Sequence, residues 1–86
     1  MNVVSVSNVI NYNNRSVPNQ FIITGEDYIL FQSFNSPIAM KKGGKVYIFK
    51  DWDYSVTTGK YRNQFLGETK KETLKKIATG EYIKVD

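Results

Sequence analysis

An α+β fold, a small antiparallel β-sheet carrying one or two short helices, follows from three features of the 86-residue sequence. Strand-like segments rich in β-branched and aromatic residues fill the chain up to residue 50, capped helical patterns follow at 57–66 and 70–79, and a last alternating segment spans 81–85. Strands gathered ahead of helices mark the α+β class rather than the repeating βα order of a parallel sheet. A chain of 86 residues supports one hydrophobic core and not two, so residues 1–86 are expected to form a single domain.

Taken in order, Val4 and Val6 alternate with serines as a short strand would, Asn13-Asn14 is a turn signal, and Pro18-Asn19 suggests a further pause. From Gln20 the pattern sharpens into a hairpin over 20–33, with Phe21 to Thr24 and Tyr28 to Ser33 as strands around Gly25-Glu26-Asp27. A second hairpin over 37–50 pairs Pro37 to Met40 with Lys45 to Lys50, and Gly43-Gly44 supplies the positive φ of a primed turn. Ser55 or Thr57 then caps a helix with Tyr61 and Phe65 four apart, stopped at Gly67. Thr69-Lys70-Lys71-Glu72 is a capping box for the next helix, whose narrow apolar stripe is Leu74, Ile77 and Ala78, and Gly80 ends it. So narrow a stripe cannot cover a whole sheet. Some sheet aromatics are therefore expected to be exposed or covered by residues 51–66.

Composition narrows the chemistry. The sequence holds no histidine and no cysteine, which excludes Ser-His-Asp and Cys-His catalysis, zinc and iron–sulfur centres, disulfides and a histidine pH switch. Its 41% hydrophobic and 23% charged residues are ordinary for a globular protein. The longest apolar run, Tyr28-Ile29-Leu30-Phe31, is far short of the roughly 20 residues that span a bilayer. Met1 to Ser5 lacks a basic leader, so a cytoplasmic protein without a membrane partner is expected. Net charge is +4, divided as −1 over residues 1–40 and +5 over 41–86, and such a basic half suits an anionic partner or nucleic acid. Lys, Asn, Ile, Tyr and Phe supply 37 of the 86 residues, as codons of an AT-rich genome or mobile element would.

Among candidate sites, Asp51 and Asp53 could share a metal ion or acid/base work, but a lone Asp-x-Asp pair is a poor cage and turn chemistry is the favoured reading. No catalytic residue, metal or cofactor is expected. Lys41-Lys42-Gly43-Gly44-Lys45 has the composition of a phosphate-cradling loop without its spacing, and reads as a hairpin turn. Lys45, Tyr47 and Phe49 share one strand face, as on a platform for stacked bases, although packing beneath a helix is favoured for Tyr47 and Phe49. Lys70, Lys71 and Lys75, with Lys76, give the last helix a basic face that could follow a phosphate backbone. The densest constellation is Trp52 to Phe65. Trp52 and Phe65 are assigned to packing, while Tyr54, Lys60, Tyr61 and Arg62 have the composition of an interface hot spot and form the expected partner-binding set.

That same stretch, Trp52-Asp53-Tyr54-Ser55 through Tyr61-Arg62-Asn63-Gln64-Phe65-Leu66-Gly67-Glu68 to Lys75-Lys76-Ile77, resembles small phage- and plasmid-encoded proteins of low-GC Gram-positive bacteria. Phe31-Gln32-Ser33-Phe34-Asn35-Ser36 is similar too, so the resemblance spans about residues 30–85. It implies a non-enzymatic mobile-element accessory protein in the cytoplasm of the bacterial host. The expected partner is a host protein, such as a defence nuclease or its ribonucleoprotein complex, inhibited in the anti-CRISPR manner. The alternative is a small basic protein that binds single-stranded nucleic acid through Lys45, Tyr47, Phe49 and the lysine helix.

Overall fold

Turn chemistry decides how this chain doubles back. In the computed structural model, which describes residues 4–85, β1 (Ser5–Ile10) and β2 (Ser16–Thr24) are joined through Asn14, whose φ of 60° is one that asparagine tolerates. The Asn11 side chain accepts from the amides of Asn13 and Arg15 and closes that loop. Strand β3 (Tyr28–Ser33) follows a Gly25–Asp27 turn in which the Gly25 amide donates to the Tyr28 carbonyl at 2.9 Å. Strands β4 (Ser36–Lys42) and β5 (Lys45–Ile48) meet at Gly43 and Gly44, with φ of 59° and 75°. Helices α1 (Val56–Leu66) and α2 (Lys70–Thr79) then lead to β6 (Tyr82–Lys84).

The strands lie in the order β1-β2-β3-β4-β5-β6, antiparallel except that β6 runs parallel to β5. That last pair is parallel because two helices intervene and return the chain to the same end of the sheet. The expected α+β fold is present. Three details differ from expectation. Pro18 and Asn19 do not pause the chain: β2 runs through them, with Asn19 at a φ of 62° and the β1 register slipping between Asn8 and Ile10. Proline cannot donate to a ladder, so the sheet bulges there, and the Asn8 side chain bonds the Val17 carbonyl at 2.9 Å instead. A third hairpin, through Phe34 and Asn35, joins β3 to β4 although Phe34 must adopt a φ of 54°. Finally, β5 ends at Ile48 rather than Lys50, as the chain turns away with the Trp52 amide bonded to the Phe49 carbonyl.

One face of the sheet holds the core. Ile22, Phe31, Ala39 and Ile48 are successive cross-strand partners, and a bulge between β3 and β4 adds Ile38. Phe31, Ile38, Ala39 and Ile48 are fully buried, each contributing on the order of 1.5–3 kcal/mol when the side chain is large. Tyr61, Phe65 and Trp52 close over them, with the Phe31 and Phe65 rings 5.9 Å apart. Ser55 caps α1 by accepting from the Thr58 amide, and Gly67 and Gly80 end the two helices in left-handed conformations. The capping box at Thr69 and Glu72 is formed.

Helix α2 faces inward differently from the expected stripe. Leu74 is 47% exposed and Ala78 is exposed, whereas Thr73 is fully buried and Ile77 packs against the Ala39–Ile48–Tyr82 cluster. The cause is Glu68, whose almost fully buried carboxylate accepts from the Thr73 hydroxyl at 2.6 Å, the Lys76 ammonium at 2.7 Å and the Tyr82 hydroxyl at 2.7 Å. These bonds rotate α2 so that its Thr73–Ile77 line meets the sheet. Burial alone would raise the Glu68 carboxyl, but hydrogen bonds from Lys76, Thr73 and Tyr82 outweigh it and hold the group below its ordinary 4.5. The Tyr82 hydroxyl is pushed up to about 12, first by burial and then by its bond to Glu68.

Because the folded Glu68 is the stronger acid, its contribution to stability is complete above the unfolded value of 4.5 and is lost as pH falls through the folded one. Glu68→Gln is expected to cost roughly 3 kcal/mol at pH 7, as breaking a buried pair does, and to flatten the acid limb of the stability curve. Leu74→Asp is expected to melt within about 1 kcal/mol of the parent, since about half of its surface is already in solvent. Denaturant melts from pH 3 to 7 check both. An unchanged acid limb in Glu68→Gln would remove the buried carboxylate from this account.

Candidate binding surfaces

Two tight turns bring the chain from β5 to α1, with the Tyr54 amide bonded to the Asp51 carbonyl before Ser55 opens the helix. Arg62, one and a half turns into α1, reaches back beneath this segment. Its Nη1 donates to the Trp52 carbonyl at 2.7 Å and to Asp53 Oδ1 at 3.2 Å, its Nη2 donates to Asn63 Oδ1 at 3.0 Å, and its guanidinium lies 5.0 Å from the Trp52 ring centroid. Asp53 also takes a 2.6 Å ion pair from Lys70. The Lys70 hydrogen bond, opposed by burial and supplemented by Arg62, keeps the Asp53 carboxyl below its ordinary value.

This geometry changes the expected partner-binding set. Arg62 is 1% exposed and Tyr61 is 7% exposed, the latter packed with Val9, Val17, Phe31 and Ile38. Neither side chain is presented to a partner: Tyr61 is in the core, and the planar fork of the Arg62 guanidinium is engaged by the Trp52 carbonyl, the Asp53 carboxylate and the Asn63 carboxamide oxygen beneath the turn. Tyr54, 53% exposed, and Lys60 do face solvent, with the Lys60 ammonium 5.3 Å from the Tyr61 ring. Val56 was not among the expected residues. It is 92% exposed in the first turn of α1, one turn below Lys60 on the same helix face. Only its position directly after the cap, outside any apolar spacing, hints at this in the sequence.

On the sheet, Tyr47 is the partner of Met40 and Ile83, while Val46 and Ile48 turn toward Ile77 and Trp52. Tyr47 therefore lies on the helix-free face, and the favoured packing beneath a helix is overturned. Lys45 stands opposite Lys42 at the tip of its hairpin, and Phe49 lies beyond the end of β5, half-buried. Lys71 and Lys75 are exposed on α2, Lys70 is tied to Asp53, and Lys76 to Glu68. Helix α2 and Tyr47 are on opposite sides of the sheet, so the two halves of the expected nucleic-acid surface are separated by it.

Asp51 and Asp53 do not converge. Asp51 accepts from the Ser36 hydroxyl at 3.0 Å, and Asp53 serves Arg62 and Lys70. Among the described residues no group of three or more aspartate or glutamate side chains could hold a metal ion. The Lys41–Lys45 segment is a hairpin turn as expected, in which Lys41 donates to the Phe65 carbonyl at 2.9 Å and Lys42 pairs with Asp27 at 3.7 Å. Beneath α1, the hydroxyls of Ser33, Thr58 and Ser55 form a hydrogen-bonded chain. The neighbouring Gln20 carboxamide is fully buried and has no protein partner.

Arg62→Ala is expected to destabilise the fold by about 3 kcal/mol, because it leaves the Trp52 carbonyl and Asp53 without their buried donor. For a domain of this size that loss lowers Tm by more than about 10 °C. Thermal melts of Arg62→Ala and Arg62→Lys check this, and a parent-like Tm in either would return Arg62 to the surface.

No helix among the described residues is long and apolar enough to cross a membrane. No curated protein and no solved structure matches the chain. A family of unknown function, DUF8033, matches residues 4–81 of the 86, from just before β1 to the residue before β6, and the protein belongs to that family.

Proposed function

We propose that the protein is non-enzymatic and acts by binding another protein through the exposed start of α1. One observation carries the reading: Tyr54 and Val56 stand in solvent, with Lys60 one turn on, above a backbone held from beneath by Arg62 and by the Ser55 cap. An aromatic and an aliphatic anchor on a rigid segment lose little freedom on docking, which is the anatomy of a binding hot spot. Lys60 and the net charge of +4 suit an acidic partner surface and speed encounter with it. The resemblance of residues 30–85 to phage and plasmid proteins supports a host defence nuclease, or its ribonucleoprotein complex, as that partner. On this reading the protein is an anti-defence inhibitor of the anti-CRISPR kind, acting in the bacterial cytoplasm.

Single-strand binding is the second reading, favoured by the position of Tyr47 and Lys45 on the helix-free face. Against it, Met40 and Ile83, the cross-strand partners of Tyr47, are not aromatic, Tyr28 and Phe21 lie on other strands, and the lysines of α2 are on the far side of the sheet. Stacking platforms need successive aromatics along a basic track.

A Tyr54→Ala, Lys60→Ala double variant is expected to melt within about 0.5 kcal/mol of the parent, as exposed substitutions do. It should lose roughly thirty-fold in affinity for its partner and fail to block defence in a plasmid-interference assay. Nuclease treatment should not release the captured partner. Full inhibition by the folded double variant would refute the contact at α1, and release by nuclease would favour the nucleic-acid reading.

A further inference from the structure

The helix-free face of the sheet carries a continuous apolar row. Cross-strand pairing aligns Val6, Ile23, Leu30, Met40, Tyr47 and Ile83, one residue from each of the six strands. At about 4.8 Å between strands the row is about 24 Å long. No member belongs to either buried cluster; Val6 is 62% exposed, and Ile23, Leu30, Met40, Tyr47 and Ile83 are half-buried. Toward one end of the strands the next line is Asn8, Phe21 and Gln32, also uncharged, and toward the other it is Tyr28, Lys42 and Lys45.

We infer that this face is the interface of a homodimer, two copies packing sheet to sheet with their helices outward. Three arguments select a second copy. A two-fold axis along the row sets each row residue against its own copy, which an uncharged row permits and a charged one would not. The same axis turns each strand end for end over its own copy, so that Lys42 of one copy lies toward the Pro37 end of the other's β4 and Lys45 toward the Ile48 end of its β5, and the basic chains approach without apposing these cations. The molecule is a slab of 33 × 32 × 20 Å, and its broad face has room for the about 800 Å² per partner that a standard interface buries. Aligned sheets pack about 10 Å apart, a gap that Leu, Met, Ile and Tyr side chains from both sides fill. The dimer leaves Tyr54, Val56 and Lys60 outside, so it does not depend on the contact proposed at α1.

Sedimentation equilibrium of the full chain tests this. The parent is expected at twice its 9.9 kDa mass by roughly 100 µM, a concentration that reports any association of Kd below it. Leu30→Lys, at the centre of the row, should weaken self-association at least tenfold. Val6→Lys, on the most exposed row position, should weaken it without touching the core and serves where Leu30→Lys fails to fold. A parent that stays monomeric throughout overturns the proposal, as does a dimer that both folded variants retain. Tight oligonucleotide binding by a monomer, lost in Val6→Glu, would also overturn it by assigning the face to nucleic acid.

Discussion

Two helices of 11 and 10 residues, about 16 and 15 Å long, cannot cover both faces of a six-stranded sheet, and the structure follows from the way the chain meets that constraint. Both helices go to the face that carries Phe31, Ala39 and Ile48, making a one-sided core. Among the described residues no helix covers the opposite face, which keeps its half-buried apolar row. A sheet with one solvated face normally alternates apolar with polar residues, and here the alternation fails at the middle of the strands. Val6, Ile23, Leu30, Met40 and Ile83 stand outside both buried clusters, and that is why the face invites a partner of matching shape.

The helix side shows how short amphipathic elements are held when their apolar stripes are narrow. Helix α1 buries Thr58, Tyr61 and Arg62, two of them polar, and α2 buries Thr73. Polar side chains at those positions are tolerable only because each finds a partner: Thr58 in the Ser33–Ser55 hydroxyl chain, Arg62 under the Trp52 turn, Thr73 on Glu68. These bonds also orient. Arg62 fixes the turn that displays Tyr54 and Val56, and Glu68 sets the rotation of α2 that turns Leu74 outward. Buried polar contacts thus decide which apolar residues remain exposed.

Much of this architecture is legible in the sequence where one residue type carries one mechanism. Gly43-Gly44, the Thr69–Glu72 capping box, Gly67 and Gly80 mark element ends because positive φ and unpaired amides have few chemical solutions. The β3–β4 hairpin is not legible, since Phe34 has no turn preference and is held at positive φ by its neighbours, its amide bonded to the Asn19 carbonyl at 2.7 Å. The facing of α2 is not legible either. Leu74, Ile77 and Ala78 satisfy helical periodicity, but a glutamate five residues before Thr73 and a tyrosine nine after it determine which side faces the sheet. Arg62 and Tyr61 read as interface residues because their composition is that of a hot spot, and composition does not distinguish a guanidinium that meets a partner from one that closes its own turn. For Tyr47, alternation gives the two sides of the strand without saying which of them the helices cover.

The absence of cysteine from the sequence makes the one-sided coverage of the sheet directly measurable, because a single introduced thiol is the only one in the molecule. Met40→Cys places it on the helix-free face, and Ile48→Cys places it in the core on the other side. The rate of reaction with a disulfide reagent, measured on dilute folded protein, compares the two. Met40→Cys is expected to react at least about a hundredfold faster, since a buried thiol reacts only through opening of the fold. Equal protection of both positions in dilute monomer would contradict it, for the sheet would then be covered on both faces.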